Sequence, residues 1–183
     1  MRSPAVYAVL LALALTGLAA CASSRTLGGS VDDLGTSASL KSILFADRKH
    51  DYGDVDLTVY EGRVMLTGTM PTEEGHAKLI EDVWKADGVK QVIDEIVIAE
   101  KTSLGQGFED TRIDQTLRAK LIANGDVTNS NYKIAVSRAV VYLLGVARDE
   151  KELNEALAAA RSIDGVKTVV SHVVYQALPG QPG

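Results

Sequence analysis

The chain has a single cysteine, Cys21, and it follows Leu18-Ala19-Ala20. An aliphatic residue, two small residues and a cysteine resemble a bacterial lipobox, in which the thiol takes a lipid and the cysteine becomes the first mature residue. One cysteine excludes an internal disulfide and a cysteine-based zinc site. The three histidines, His50, His76 and His172, have no metal-ligand spacing with one another or with a carboxylate. His50 falls in an expected loop and reads as a surface residue. His76 opens a helix and reads as solvated or capping, and His172 reads as a packed or edge residue of the last strand. No glycine-rich phosphate loop and no Gly-x-Ser-x-Gly elbow is present. The carboxylates read as helix caps and surface charge. No convergent acid, base, nucleophile or metal set emerges, so the expectation is a non-enzyme with no cofactor and no metal.

The residues before Cys21 set its context. Met1-Arg2 is a short positive start, Ala5 to Leu15 is an apolar run, and small residues lead to the cut site. Residues 1–20 therefore read as a signal peptide, too short for a stable transmembrane helix. The alternative is a plain secretory signal with a chance cysteine, disfavoured because the only cysteine falls where lipidation requires it. Ala22 and Ser23 follow, not Asp, which by the enterobacterial sorting rule favours the outer membrane, with the chain on its periplasmic face. Each buried CH₂ contributes about 0.8 kcal/mol, so two or three acyl chains (palmitate among them) hold firmly. Residues 21–33 read as a lipidated flexible tether, because the run from Ala22 to Gly35 is rich in Ser and Gly and lacks apolar periodicity.

Composition narrows the class. With 46 % hydrophobic and 23 % charged residues, global disorder is excluded. A net charge of −5 argues against nucleic acid, whose phosphates need a basic surface.

The rest of the chain is one pattern written twice. At an offset of 77, Gly68 pairs with Gly145, Gly88 with Gly165, Leu40 with Leu117, Leu66 with Leu143 and Val92 with Val169, without a gap. A fixed register over glycines and apolar positions together marks two sibling domains. They occupy residues 34–100 and 108–177, with a linker at 101–107 and a tail at 178–183.

Each copy reads as αββαβ. The first helix is expected near Thr36 to Arg48, and near Thr111 to Asn124 in the second copy. There, Ile113, Leu117 and Leu121 form one apolar stripe, Asp110 is the expected N-cap and Gly125 the stop. A hairpin follows: Asp56 to Tyr60, a Glu61-Gly62 turn and Arg63 to Met70, then Tyr132 to Ser137 and Val140 to Val146. Gly68 and Gly145 sit inside the return strands, where glycine weakens a strand unless a bulge or another backbone needs the space. In the first copy Pro71, Thr72, Glu73 and Glu74 lead into the second helix, and in the second copy Asp149 opens it, with Glu152 at capping-box spacing. Both are expected to stop at Asp-Gly-Val, with Gly88 and Gly165 left-handed. Gln91 to Ala99 and Lys167 to Tyr175 are the last strands. The fold class is α+β, two tandem domains, each a three-stranded sheet packed by two helices.

Val64-Met65-Leu66-Thr67-Gly68 and Gly88-Val89-Lys90-Gln91-Val92, with Val141-Tyr142-Leu143-Leu144-Gly145 and Gly165-Val166-Lys167-Thr168-Val169, resemble the BON domain family. The resemblance spans about Leu34 to Tyr175. A lipobox followed by two such domains resembles the dual-BON outer-membrane lipoproteins of Gram-negative bacteria. It implies a role in envelope integrity, and contact of the second domain with anionic phospholipid through its first helix.

Charge is unevenly shared. Residues 34–100 hold thirteen acidic and seven basic side chains, whereas residues 108–177 hold nine of each. The first helix of the second copy carries Arg112, Arg118 and Lys120, the candidate phospholipid-binding residues. Near an anionic surface each contributes about 1 kcal/mol. The competing reading is an ordinary solvated helix face. The partners expected are the membrane, through Cys21, anionic phospholipid and envelope proteins. A protein adaptor for outer-membrane assembly or the cell-wall and division machinery is the alternative function, favoured if an apolar patch is exposed around Trp84.

Overall fold

The computed structural model describes residues 27–47 and 49–176. The signal peptide, Cys21 and the 178–183 tail lie outside the described residues. The elements run α1 (Leu27–Ala46), β1 (Val55–Tyr60), β2 (Arg63–Met70), α2 (Glu73–Trp84) and β3 (Gln91–Ile98), then α3 (Leu104–Ala123), a 3₁₀ turn (Asn129–Asn131), β4 (Tyr132–Ser137), β5 (Val140–Ala147), α4 (Glu150–Arg161) and β6 (Thr168–Tyr175). This is αββαβ twice over. In each sheet the hairpin is antiparallel, and the last strand joins in parallel beside the return strand, giving orders β1-β2-β3 and β4-β5-β6.

The hairpins turn tightly. Glu61 and Gly62 both have positive φ, as do Arg138 and Ala139, the pattern whose twist matches the flanking strands. Thr72 and Asp149 cap α2 and α4, accepting from the backbone N–H three residues on. Both helices end sooner than Asp-Gly-Val predicts: the C-caps are Lys85 and Ser162, and the glycines sit in a separate turn. That turn packs on the first helix. A Cβ at Gly88 would overlap the Thr36 hydroxyl, and one at Gly165 would press on Arg112.

The first helices are longer than their apolar stripes suggest. α1 begins at Leu27, inside the expected tether, and α3 begins at Leu104 with Ser103 as its N-cap, inside the expected linker. Asp110 is therefore not an N-cap. It is buried within α3, and its carboxylate accepts from the backbone N–H of Arg138 and Ala139, both at 2.8 Å. Asp33, its counterpart 77 residues earlier, holds Glu61 and Gly62 in the same way at 2.9 and 3.0 Å. One buried carboxylate on each first helix thus fixes each hairpin turn.

The glycines inside the strands have a steric cause. A Cβ on Gly68 would overlap the Asp54 carbonyl oxygen, and one on Gly145 the Asn131 carbonyl oxygen. Asp54 and Asn131 are again counterparts. Even surface ion pairs repeat, with the charges exchanged: Lys49 meets Glu74 at 2.7 Å, and Asp126 meets Lys151 at 3.0 Å.

Each sheet has two buried faces. One packs on its own helices: Leu40, Val64, Leu66, Leu79 and Val83 in the first repeat, and Ile113, Leu117, Val141, Leu143 and Ala156 in the second. The other faces its twin. Tyr60, Met65 and Ile93 meet Ala135, Tyr142, Leu144 and Val146 in a third core between the sheets. The molecule is thus a four-layer stack of helices, sheet, sheet and helices. Burial on both faces explains why β5 reads as a near-continuous apolar run.

Candidate phospholipid-contacting helix

α3 is held by one face. Ile113, Leu117 and Leu121 are fully buried, and Asp110 grips the β4–β5 turn beside them. The opposite face is open, and it carries large apolar side chains: Leu104 is 84 %, Phe108 75 % and Ile122 69 % exposed. At 3.6 residues per turn these three fall within about 40° of one another along about 27 Å of helix. Thr111, Gln115 and Arg118 are exposed between them. The outer face of α3 is therefore a mixed stripe of apolar ends and a polar, cationic middle.

The three candidate cations do not share that face. Arg118 belongs to it. Its guanidinium grips Asp114 through two hydrogen bonds of 2.7 and 2.9 Å and donates to the Ile134 carbonyl at 3.1 Å. Lys120 lies about 160° away around the helix and donates to the Ser162 hydroxyl at 3.1 Å. Arg112 leans to the same side as Lys120, pairing with Glu109 at 3.0 Å and donating to the Asp164 carbonyl at 2.6 Å. Arg112 and Lys120 therefore fasten α3 to the end of α4, and Arg118 fastens it to the edge strand β4. Leu104 and Ile122 do not stand out as a stripe in the sequence, because α3 starts seven residues before the expected Thr111. The stripe is visible when residues 104–123 are projected as one helix at 100° per residue.

A cleft of about 440 Å³ lies between the repeats, where β1 passes over β4. It is lined by Asp54, Asp56, Thr102, Asp114 and Arg118 among others. Its carboxylates already accept hydrogen bonds. Asp54 takes them from Thr69 and Thr102, Asp56 from the Leu57 N–H, and Asp114 from Arg118. Burial pushes the Asp54 carboxyl up, but the hydroxyls of Thr102 and Thr69, the Thr102 N–H and the nearby Lys101 charge together outweigh it and hold it below the usual carboxylate range.

The histidines are structural. His50 is not a surface residue. It is nearly buried, with Nδ1 2.7 Å from Asp47, which also accepts from the Tyr52 hydroxyl at 3.0 Å. That bond from His50 is the main cause of an Asp47 pKa well below the carboxylate range. His76 meets Asp94 at 2.9 Å, and His172 meets Glu95 at 2.7 Å across the two sheets. Arg63 also crosses, donating to the carbonyls of His172 at 2.6 Å and Gly145 at 3.3 Å. Among the described residues no three His, Cys, Asp or Glu side chains gather as a metal site, and no helix is long and apolar enough to cross a membrane.

The chain is similar in sequence to known proteins. A protein encoded in the gshII 5′ region of Anaplasma centrale is 32 % identical over 123 residues, 67 % of this chain and 82 % of its own length. The 21 kDa hemolysin of Actinobacillus pleuropneumoniae is 27 % identical, and outer membrane lipoprotein DolP of Haemophilus influenzae 26 %, each over 152 residues, 82 % of this chain and 78 % of theirs. The family model for the BON domain matches residues 32–100 and again 109–177, the two αββαβ units described above. The chain belongs to the BON domain family, and it carries two such domains in tandem.

Proposed function

We propose that this chain is a non-catalytic envelope protein, anchored by lipid on Cys21 at the periplasmic face of the outer membrane. Its second BON domain contacts anionic phospholipid through the outer stripe of α3, and the contact supports outer-membrane integrity. The observation that carries this reading is the stripe itself. Leu104, Phe108 and Ile122 are exposed on one helix face, with Arg118 between them. Large apolar side chains held in water gain about 25 cal/mol per Å² when they reach the acyl boundary. A cation near an anionic surface adds about 1 kcal/mol. Neither is strong alone, but a lipid anchor raises the local concentration of the helix at the membrane. The resemblance to a protein named outer membrane lipoprotein supports the same setting.

The test is co-sedimentation of the unlipidated chain, residues 23–183, with phosphatidylglycerol and phosphatidylcholine vesicles at low and high salt. The reading predicts salt-sensitive binding to phosphatidylglycerol alone, lost on Leu104→Ser with Phe108→Ser and weakened by Arg118→Ala. Binding that survives all three substitutions would sink it. A protein adaptor is the second reading. Trp84 is half exposed on α2 and supports it, although large apolar residues scattered singly on a surface are ordinary.

A further inference from the structure

We infer that α1 of the first repeat is a second membrane-contacting element, lying on the bilayer with Leu34 and Phe45 at its acyl boundary. The inference rests on the Cys21 anchor proposed above. Leu34 is 72 % and Phe45 84 % exposed. Eleven residues separate them, which is just over three full turns, so they stand about 20° apart on one helix face and about 16 Å apart along it. Ala38 and Lys41 are exposed on that face between them. Lys41 and Phe45 are the counterparts of Arg118 and Ile122, so the outer faces of both first helices carry a cation one turn before a large apolar residue.

The first repeat extends its apolar face further than the second. A groove of about 520 Å³ opens beside Phe45 between α1 and β1, with Leu44, Val55 and Leu57 in its wall. Those three are partly exposed, whereas their counterparts Leu121, Tyr132 and Ile134 are buried. Among the described residues, nothing in the first repeat closes the groove as the second closes its own.

Position selects the occupant. α1 begins at Leu27, six residues after Cys21. Six residues span at most about 20 Å, so a lipid on Cys21 holds the start of α1 within that distance of the headgroups. α1 packs on β1, α3 packs on β4, and β1 passes over β4, so both helices flank the same edge of the stack. A phospholipid bilayer is the surface this helix meets first.

The contact differs in kind from that of α3. The first repeat is acidic, so charge does not draw it to an anionic membrane. Of the carboxylates on or beside α1, Asp32 is exposed but about 160° around the helix from Leu34, Asp33 turns inward to the hairpin, and Asp47 is held by His50 and Tyr52. The contact is apolar, with the Lys41 stem lying along the interface and its ammonium in water. It is therefore indifferent to headgroup charge and to salt.

The experiment uses the full lipidated chain reconstituted in phosphatidylcholine vesicles, with brominated acyl chains as quencher. The native protein has one tryptophan, Trp84 on α2, which serves as the off-stripe reference. A Phe45→Trp, Trp84→Phe chain reports α1. The inference predicts a blue-shifted emission from the probe at position 45 and loss of about half of it to bromolipid, unchanged from low to high salt, because an interfacial helix buries its apolar face about 5–10 Å deep. Trp84 loses little. Mass spectrometry of the mature chain reads the anchor separately. A lipidated chain whose probe at position 45 is unquenched overturns the inference alone, and a chain without lipid on Cys21 overturns the anchor and the inference together.

Discussion

His172 and Glu95 occupy the same place in the two repeats, 77 residues apart, and they bond each other at 2.7 Å. A residue that touches its own counterpart lies on the axis exchanging the two copies. The repeats are therefore related as two subunits of a C₂ dimer are, with the linker joining what would otherwise be separate chains. Met65 and Tyr142, also counterparts, both belong to the core around this pair.

The pair should be coupled. Glu95→Ala and His172→Ala together are expected to destabilise by less than the sum of the singles, with an interaction of about 0.5–1.5 kcal/mol in urea unfolding. Strict additivity would mean that the contact is idle in solution.

The strand glycines make a sharper prediction. Both face a carbonyl oxygen of the preceding strand's entry, so no rotamer of a substituted residue relieves the clash. Both also hold positive φ. Gly68→Ala and Gly145→Ala should each cost more than about 2 kcal/mol, beyond the usual range for a strand glycine. Thermal unfolding of the two variants reads this directly, and a near-neutral result in either would refute the steric account.

Much of the fold was legible because it is written twice. The offset of 77 aligned both hairpins, both second helices and both last strands from the sequence alone. What was not legible lies between elements distant in sequence. Asp33 and Asp110 look like surface or capping residues, yet their partners are hairpin N–H groups 28 and 29 residues away. The starts of α1 and α3 are hidden in the sequence because Gly28, Gly29, Gly35, Gly105 and Gly107 lower intrinsic helicity there, as a linker would. The third core is hidden because Tyr60, Met65 and Tyr142 lie on the sheet face that a single domain would leave to solvent. At the candidate site, residue type was readable and direction was not. Arg112 and Lys120 became anchors to α4 only once α4 was in place.

The buried carboxylates on the first helices should be costly to remove. Asp33→Ala and Asp110→Ala each leave two turn N–H groups without their acceptor, and about 1–3 kcal/mol per variant is expected. Asn at either position keeps one acceptor oxygen where Asp presents two, and should recover part of the loss. Equal stability of the Ala and Asn variants would show that the carboxylates do not hold the turns.

Acid should act on the second repeat through Glu152. Its side chain is fully buried and accepts from the N–H of Thr128 at 2.6 Å, and from the N–H and guanidinium of Arg148 at 2.8 Å. Burial pushes its pKa up, but these donors outweigh it and leave the carboxyl below its ordinary value of 4.5. A depressed folded pKa gives stability that is complete above the unfolded value and is lost as pH falls through the folded one. Glu152→Gln should therefore lower stability at neutral pH and flatten its fall below about pH 4.5. The first repeat has Gly75 at that position and lacks this contribution. An unchanged acid-unfolding profile in the variant would contradict the assignment.

The central claim is that the outer stripe of α3, and not its full set of cations, meets the lipid. The most direct measurement is an amide chemical-shift map of the unlipidated chain as phosphatidylglycerol bicelles are added. The account predicts perturbations at Leu104, Phe108, Thr111, Gln115, Arg118 and Ile122, with Arg112 and Lys120 little changed. Perturbations centred on Arg112 and Lys120, or none on α3 at all, would contradict it.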